Sequence, residues 1–407
     1  MIAAREQAAA LAAAAAQLGL AEERLRWVTS PYRVCPLGAH VDHQLGRVTA
    51  LALDRGTLLA FAPSETAEVA LTSLDFPGSV RFRLDAIPPR RQGDWGDYAR
   101  GAALALARSG APLARGLVGI VSGAGSEGGL ASSASVGLAY LLALADANGR
   151  DLSGAELVRL DQAIENGYLG LDNGILDPAA VVFSRREQLT RVDCRAFAAE
   201  PTAEAPGIER LPRPAALAPF VVLVAGSGVR QAIVATDYNR RVAECREAAR
   251  VLLAAAGRPD EEPLLGHLSA AEYEAHASRL AGALAKRARH FFSEQARVAA
   301  GEEAWRSGDL ARLGQLVTAS GESSIAHYEC GSPPLVDLFE SLVRSAGVYG
   351  ARFSGAGFRG CCLALAKPEA AASAAAEVLA AYRERQPALA GRAFVVTCAS
   401  DDGARLL

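Results

Sequence analysis

The sequence predicts an α+β protein of two domains with a ligand cleft between them. Apolar, β-branched runs alternate with helical runs over residues 1–200, whereas residues 220–407 begin with a strand and continue in long helical runs. Residues 201–219 hold irregularly spaced prolines that break any periodic pattern, so we predict a connection there. The 407 residues are enough for each domain to bury its own core.

The alanine-rich stretch at residues 3–20 predicts the first helix. Arg5, Glu6 and Gln7 precede a run of mostly alanine, which is too weakly apolar for the core of a signal peptide. We therefore expect this stretch to be part of the folded protein.

A strand, a glycine-rich turn and the start of a helix follow one another in the middle of the N-terminal domain. Residues 116–122 are apolar and β-branched, residues 123–135 (GAGSEGGLASSAS) carry glycines and hydroxyls, and residues 136–145 are typical of a buried helix. Glycines let the backbone approach an anion, and the free N–H groups at a helix N-terminus favour phosphate. Ser132 and Ser133 would add hydroxyl donors or a magnesium ligand. A serine-capped helix after a flexible loop is the alternative interpretation.

Two other phosphate motifs fit poorly. A Walker loop needs Gly-Lys followed by Ser or Thr, and neither of the two lysines, Lys286 and Lys367, follows a glycine. The dinucleotide pattern G-x-G-x-x-G occurs twice, starting at Gly123 and at Gly355. The first match lacks an acidic residue at the end of a second strand. The second precedes residues 361–366, which look like a strand, so a hairpin suits it better.

A turn punctuated by proline and glycine lies at residues 30–46. A carboxylate in such a turn can accept hydrogen bonds from two neighbouring sugar hydroxyls, and an imidazole can donate or accept, which suits a polyol. A polar surface loop is the alternative. The polar side chains of this turn are Arg33, His40, Asp42 and His43.

Two carboxylates, Glu165 and Asp177, flank a glycine-rich stretch. The glycines break the helix, and such a break can bring both side chains toward the serine end of the glycine-rich turn. Taken alone, an isolated Glu and Asp are usually solvated groups on the surface, and their separation by itself does not indicate a site.

Composition excludes several classes of partner. The formal net charge is −3 without a basic stripe, so we expect no nucleic-acid partner. No run approaches the roughly 18 strongly apolar residues of a membrane helix, so we expect no membrane partner. The seven cysteines lack the paired spacing of a metal site, which favours a reduced cytoplasm. The oligomeric state is not readable from the sequence.

Together, these segments resemble a known family, the GHMP kinases, in its galactokinase branch. The order of the three signature motifs is matched by RVCPLGAHVD (33–42), GGLASSAS (128–135) and GAGFRGCC (355–362), and GILD (174–177) and YNRRVAEC (238–245) match further galactokinase segments. The resemblance runs from about residue 28 to the C-terminus. It is strongest to galacturonokinases, through SPYRVCPLGAH, ENGYLG, YECG and YGARFSGAGFRGCC.

The resemblance implies a GHMP-kinase-like fold with the active site between the domains, ATP and Mg²⁺ as cofactors, and a small sugar acid as substrate. Asp177 matches the proposed base and Arg33 the arginine that stabilises the transition state, while Ser133 and Glu165 match the magnesium ligands. A carboxylate is a weak base for a sugar hydroxyl, so Asp177 would mainly orient that hydroxyl and accept its proton late. The implied sugar contacts are Ala39, His40, Asp42, His43, Gly174, Tyr238 and Arg241. The implied nucleotide contacts are Ser73, Trp95, Gly123, Gly125, Gly128, Gly129, Leu130, Ala131, Ser132 and Ser133.

Ala39 departs from the galactokinase pattern, which has a glutamate there that contacts the hydroxymethyl end of the sugar. If the substrate carried a C6 carboxylate instead, a glutamate would repel it by roughly 4 kcal/mol at about 4 Å and an effective dielectric of about 20. Alanine removes that penalty, so galacturonate phosphorylated at C1 is the expected reaction and galactose the alternative substrate. An arginine would be the strongest partner for the carboxylate. The candidates are Arg230, Arg240, Arg241 and His43.

Three other departures from the family pattern affect the site: Ala131 replaces a serine, Pro178 replaces a glutamine, and Arg359 replaces a glycine. Proline is acceptable at a first helical position, so we expect the helix after Asp177 to form. Two alternatives from other classes are a non-catalytic sugar and ATP sensor and, remotely, a nicotinamide dehydrogenase.

Overall fold

The computed structural model describes residues 2–110, 113–123, 130, 132–200, 203–229, 237–357 and 360–407. Two sheets, one of eight strands and one of four, organise this part of the chain. The strands, in chain order, are β1 (Arg26–Val34), β2 (Arg47–Pro63), β3 (Glu68–Ser73), β4 (Ser79–Arg83), β5 (Leu117–Gly123), β6 (Gln188–Asp193), β7 (Ile208–Pro212), β8 (Val221–Gly226), β9 (Val348–Phe353), β10 (Cys361–Ala366), β11 (Phe394–Cys398) and β12 (Arg405–Leu406).

Helices pack against both sheets. Two π-helical turns, Ala163–Leu169 and Ser324–Tyr328, interrupt the regular helices. The α-helices are α1 (Ile2–Gln17), α2 (Asp97–Arg108), α3 (Ser132–Ala147), α4 (Gly154–Gln162), α5 (Leu176–Phe183), α6 (Cys194–Ala199), α7 (Tyr238–Ala255), α8 (Ala270–His276), α9 (Gly282–Ser307), α10 (Leu310–Ser323), α11 (Pro333–Arg344) and α12 (Ala371–Arg385).

The first sheet has the order β12-β1-β2-β5-β3-β4, with β6 beside β2 and β7 beside β6. Its strands pair antiparallel except for β3 and β5, which are parallel. The predicted first helix is confirmed as α1, whose Leu11 and Ala15 pack against Leu58 and Ile120 of the sheet. Burial of this apolar stripe explains why an alanine-rich helix is held in place.

The second sheet has the order β11-β8-β10-β9 and is antiparallel throughout. Every residue of β10 is buried, because one face packs with α11 and the other with α9 and α10. On the first face Ala364 shares a cluster with Leu338, and on the second Leu363 shares one with Trp305. Burial on both faces accounts for the continuous apolar run in the sequence.

The second glycine pattern lies between β9 and β10, which pair antiparallel, so the predicted hairpin is confirmed. The predicted connection at 201–219 contains β7, which pairs with β6 in the first sheet. The chain returns to that sheet at β12, which pairs with β1. It therefore passes between the sheets twice, at residues 213–220 and 399–404. The α+β class is confirmed, and the domain boundaries stay a prediction.

None of the described helices is both long enough and apolar enough to cross a lipid bilayer.

Candidate active site

An ion pair between Arg33 and Asp177 lies in a cavity with a volume of about 550 Å³, called the main cavity below. Arg33 follows a β-bulge in β1, and Asp177 is in the first turn of α5. Arg33 Nε donates to Asp177 Oδ1 at 2.8 Å, and Nη2 donates to the same oxygen at 2.6 Å. No described residue donates a hydrogen bond to Oδ2, and a quarter of the Asp177 side chain is exposed. The guanidinium therefore fixes the carboxylate while one oxygen stays available to a ligand.

Arg33 also joins the two halves of the protein. Its Nη1 donates to Ser354 Oγ at 3.2 Å, and Ser354 directly follows β9 of the second sheet. Its backbone N–H donates to the carbonyl of Leu130, close to the start of α3. Arg33 therefore lies where the two sheets meet.

Glu165 is a buried carboxyl in the π-helical turn after α4. Asn173 Nδ2 donates to its Oε2 at 2.5 Å, whereas Oε1 has no hydrogen-bond partner among the described residues. Burial and the nearby charge of Asp177 raise the pKa of Glu165 to about 7, against the opposing effects of Asn173, Ser133 and Arg33. A buried, unpartnered carboxylate oxygen is an unfavourable arrangement unless a cation or proton satisfies it.

The oxygen donors near Glu165 fit Mg²⁺. This ion commonly takes one or two protein oxygens and completes its shell with phosphate and water. Ser133 lies in the first turn of α3, lines the cavity and lowers the pKa of Glu165, so the two side chains are neighbours. No group of three or more His, Cys, Asp or Glu residues in the described part of the chain forms a metal site of its own.

The glycine-rich turn is described only at its edges. Gly123 and Leu130 are placed, whereas the calls on Gly125, Gly128, Gly129 and Ala131 lie outside the described residues. Gly123 donates its backbone N–H to Asp75 Oδ2 at 2.6 Å. A Cβ at this position would lie 2.5 Å from Tyr32 Oη, so the close approach of that ring requires glycine.

An apolar wall lines the cavity beside the serine end of α3. Trp95 and Ser73, both predicted to contact a nucleotide, are on the cavity wall. Ser73 Oγ accepts hydrogen bonds from the backbone N–H groups of Asp75 and Phe76, which shapes the loop after β3. The Phe76 side chain is 48% exposed, an unusual state for a phenylalanine beside a cavity. Sequence reasoning missed Phe76.

The polar turn after β1 forms another wall of the same cavity. His40 has a left-handed backbone with φ of 60° and stacks on Tyr328 at 4.1 Å between ring centroids. Burial, His290 and Arg352 hold the pKa of His40 well below its usual range, so the ring is neutral. His290 Nε2 donates to the carbonyl of Ala39 at 3.0 Å. This strained, buried turn is rigidly held, which suits ligand recognition.

Asp42 is held by the helix that carries Asp177. The backbone N–H of Leu176 donates to Asp42 Oδ2 at 3.2 Å. Burial and then the charge of Asp177 raise the pKa of Asp42 to about 6. Tyr238 lines the same cavity, and its ring meets His43 edge-on at 6.3 Å. His43 lies instead on a smaller neighbouring cavity of about 330 Å³.

Most of the predicted site residues share the main cavity. Glu165, Leu130, His43 and Arg241 are not on its wall, and Glu165 is instead near it through Ser133. The predicted residues on the wall are Arg33, Ala39, His40, Asp42, Ser73, Trp95, Gly123, Ser132, Ser133, Gly174, Asp177 and Tyr238.

The four basic groups considered for a substrate carboxylate are poorly placed or outside the described residues. Arg240 is exposed and pairs with Asp237 and Glu244. Arg241 donates to Glu244 and to the carbonyl of Glu329. Burial lowers the pKa of His43 to about 3, which leaves it uncharged. Arg230 lies outside the described residues.

Asp161, one turn before Glu165, is a further buried carboxyl, and neither of its oxygens has a hydrogen-bond partner among the described residues. Burial, then Glu165 and Asp177, raise its pKa well above the usual range. The folded protein therefore tolerates Asp161 best in its protonated form. Below about pH 4 the carboxyl is protonated in the folded and the unfolded state, and the free energy of unfolding is unaffected by its burial as an anion. As the pH rises, the unfolded state loses the proton more readily than the folded state, so the free energy of unfolding falls.

We expect Asp161→Asn to raise the free energy of unfolding at pH 8 and to leave it nearly unchanged at pH 4. An amide carries no charge to bury at either pH. Urea unfolding at the two pH values measures the effect, with the exposed Asp151→Asn as the control. An equal change at both pH values would contradict the buried neutral carboxyl.

The site and fold have clear relatives among known proteins. The models for the N-terminal and C-terminal domains of GHMP kinases match residues 97–185 and 302–384. A galacturonokinase of Arabidopsis thaliana is 46% identical over 97% of this chain and 96% of its own length. A galactokinase of Roseiflexus sp. is 31% identical over 92% of this chain and 91% of its own.

Solved structures agree with these relatives. Lactococcus lactis galactokinase complexed with galactose superposes with a TM-score of 0.86 at 29% identity, over 97% of this chain and 98% of that one. Mevalonate kinase of Methanococcus jannaschii gives 0.61 at 15% identity, over 92% and 98% of the two chains, which shows the shared fold alone.

The fold and the site thus define a small-molecule kinase, and the chain belongs to the GHMP kinase family. Within that family it is a sugar kinase of the branch that contains galactokinase and galacturonokinase.

Proposed function

We propose that the protein transfers the γ-phosphoryl group of ATP to the anomeric hydroxyl of D-galacturonic acid and so makes galacturonate 1-phosphate. The observation that carries this proposal is the Arg33–Asp177 pair, which shares one cavity with the serine end of α3 and with the polar turn after β1. A phosphate donor and a sugar acceptor therefore have adjacent places on either side of a fixed carboxylate.

The nucleotide half of the proposal rests on the start of α3 and on the apolar wall. The helix N-terminus offers N–H groups and a positive dipole end to phosphate, and Ser132 and Ser133 line the cavity there. The half-buried ring of Trp95 and the exposed ring of Phe76 offer an apolar surface of the kind a purine stacks on. Glu165 and Ser133 would hold Mg²⁺, which neutralises charge on the β- and γ-phosphates when bound.

Asp177 positions the attacking hydroxyl. Its Oδ1 is engaged by Arg33, so Oδ2 is the oxygen that accepts the hydrogen bond from the anomeric hydroxyl. The proton passes to this oxygen as the hydroxyl oxygen bonds to the γ-phosphorus and the bond from that phosphorus to the oxygen of ADP breaks, because the hydroxyl becomes acidic only then. Arg33 stays beside the transferred phosphoryl group, where its positive charge stabilises the transition state.

The choice of sugar rests on Ala39, which is buried and lines the cavity. No carboxylate stands at this position to repel a uronic acid. The greater identity to a protein named galacturonokinase than to one named galactokinase points the same way. Galactose remains the alternative substrate.

The cellular setting that we propose is a reduced cytoplasm. All seven cysteines are buried, and their spacing in the sequence is not the paired spacing of a metal site. Cysteines used in this way are typical of a reducing compartment.

The direct test is a coupled assay that measures the rate of ADP release from Mg²⁺–ATP. The acceptor is galacturonate, glucuronate or galactose. We expect galacturonate to have the highest kcat/KM, and a reaction without acceptor gives the background hydrolysis. Galactose clearly outperforming galacturonate would refute the substrate assignment. Absence of ADP release with all three would favour a non-catalytic sensor.

Gly174 tests the acceptor half of the site. A Cβ here would lie 2.3 Å from Asp42 Oδ2 and 2.6 Å from the backbone nitrogen of His43, so Gly174→Ala must displace Asp42. We expect the KM for the sugar to rise about tenfold, because a shift of that size disturbs the hydroxyl contacts, while the KM for ATP stays constant. Gly167→Ala is the matched control, since a Cβ there meets nothing within 4 Å. An unchanged sugar KM in Gly174→Ala would remove Asp42 from the acceptor site.

A further inference from the structure

Arg352 is a fully buried arginine on the wall of the active-site cavity. It lies in β9, where Nε donates to the carbonyl of Phe353 at 3.0 Å. Both terminal nitrogens, Nη1 and Nη2, lack hydrogen-bond partners in the described part of the chain. Because a guanidinium stays charged in proteins, it cannot relieve this situation by losing a proton.

The nearest carboxylate does not satisfy Arg352. Glu294 Oε1 lies 3.8 Å from Arg352 Nη1, too far for a hydrogen bond. Glu294 is already engaged by Arg297 Nε at 2.6 Å, by the backbone N–H of Gly38 at 2.8 Å and by Ser320 Oγ. The donors on Nη1 and Nη2 are therefore buried without an acceptor among the described residues.

Arg352 lies close to the polar turn that holds Ala39, because both adjoin Glu294. Glu294 binds the backbone of Gly38 and His290 binds the carbonyl of Ala39, so the residues next to Arg352 fix this turn. The charge of Arg352 reaches the turn itself, since it acts on Cys35, whose pKa burial raises to about 12 against the opposing effect of Arg352. Ala39 and Arg352 line the same cavity, and Ala39 has one of the smallest side chains on its wall.

The other arginine on this wall is not available. Arg33 is committed to Asp177 through two of its nitrogens. Arg352 is therefore the described arginine that lines the cavity and retains two unpartnered donors.

We propose that Arg352 is the specificity-determining residue for the C6 carboxylate of the acceptor, which its two terminal nitrogens bind in the space left by Ala39. This inference rests on the proposed function. A planar guanidinium matches a carboxylate with two parallel hydrogen bonds, and a neutral hydroxymethyl group cannot replace that interaction. Specificity for a uronic acid thus has two sources. Arg352 attracts the C6 carboxylate, and Ala39 provides no negative charge that would repel it.

The test compares galacturonate with its methyl ester in the wild-type enzyme and in Arg352→Gln. In the wild type we expect the ester to raise KM at least roughly 30-fold, since charge-assisted pairs contribute this much. In Arg352→Gln the KM for galacturonate rises by a similar factor and the ratio between ester and acid falls below about threefold. The exposed Arg344→Gln is the control and leaves both constants unchanged.

A merely structural role for Arg352 predicts a different result. Acid and ester would then weaken together and their ratio would stay at the wild-type value, which overturns the proposal. Should Arg352→Gln fail to fold, Arg352→Lys keeps a positive charge beside Glu294 but loses the paired donors, and we expect it to reduce the same ratio. An undiminished ratio in that variant also overturns the proposal. A wild-type enzyme that does not use galacturonate contradicts the proposed function instead, so the two failures are distinguishable.

Discussion

Asp177→Asn is expected to lower kcat by about 10²–10⁴-fold and to leave the binding of ATP intact. The asparagine oxygen can still accept from Arg33, so the buried guanidinium keeps a partner and the fold is preserved. The amide cannot take the proton of the anomeric hydroxyl, however, and presents a donor group where the carboxylate presents Oδ2. Steady-state kinetics gives kcat, and calorimetric titration with Mg²⁺–ATP gives the dissociation constant.

The exposed Asp172→Asn is the control for this measurement, because it removes a carboxylate only five positions earlier in the chain. We expect wild-type kinetics from it. If Asp177→Asn retained turnover within a few-fold of the wild type, Asp177 would not be the group that receives the proton. A loss of ATP binding as well would show that the substitution damages the nucleotide half of the site.

Ala39→Glu is expected to lower kcat/KM for galacturonate by about a thousandfold. Two like charges about 4 Å apart at an effective dielectric of about 20 repel by roughly 4 kcal/mol, which corresponds to that factor. The new carboxylate would also occupy the space beside Arg352 and accept from its unpartnered nitrogens. Relative activity toward galactose should therefore rise. Parallel kinetics with galacturonate and galactose measure the change in preference.

Ala39→Gln separates charge from size, since glutamine fills nearly the same volume without a negative charge. We expect it to lose only about tenfold toward galacturonate, because crowding remains while repulsion is absent. Equal losses in Ala39→Glu and Ala39→Gln would attribute the selectivity to space alone and exclude the electrostatic argument.

The main strands could be predicted because buried strands consist of apolar residues. All six residues of β10 are buried, and the corresponding sequence is apolar throughout. The strands β7 and β12 could not be predicted, because they have five and two residues and no apolar alternation. They exist because β6 and β1 offer them an open edge, which is a tertiary effect.

Site residues could be proposed from the sequence where they lie in segments interrupted by glycines. Their backbone conformations and hydrogen-bond partners could not be predicted. The left-handed backbone of His40 and the unpartnered oxygen of Glu165 both depend on neighbours distant in the chain. Arg352 could have been proposed from the sequence, because it is a charged residue in an apolar strand, between Ala351 and Phe353. Sequence reasoning attended to the glycines that follow it.

The two passages of chain between the sheets, residues 213–220 and 399–404, have a mechanical consequence. Bodies joined by a single linker can turn about many axes, whereas two separate linkers restrict the turn to the line that joins them. The two halves also share one buried core, in which Leu51 of β2 and Leu363 of β10 belong to the same cluster, so we expect them to move little against each other. Ser354 is then held in one place beside Arg33, so the geometry of the site is reproduced from one turnover to the next.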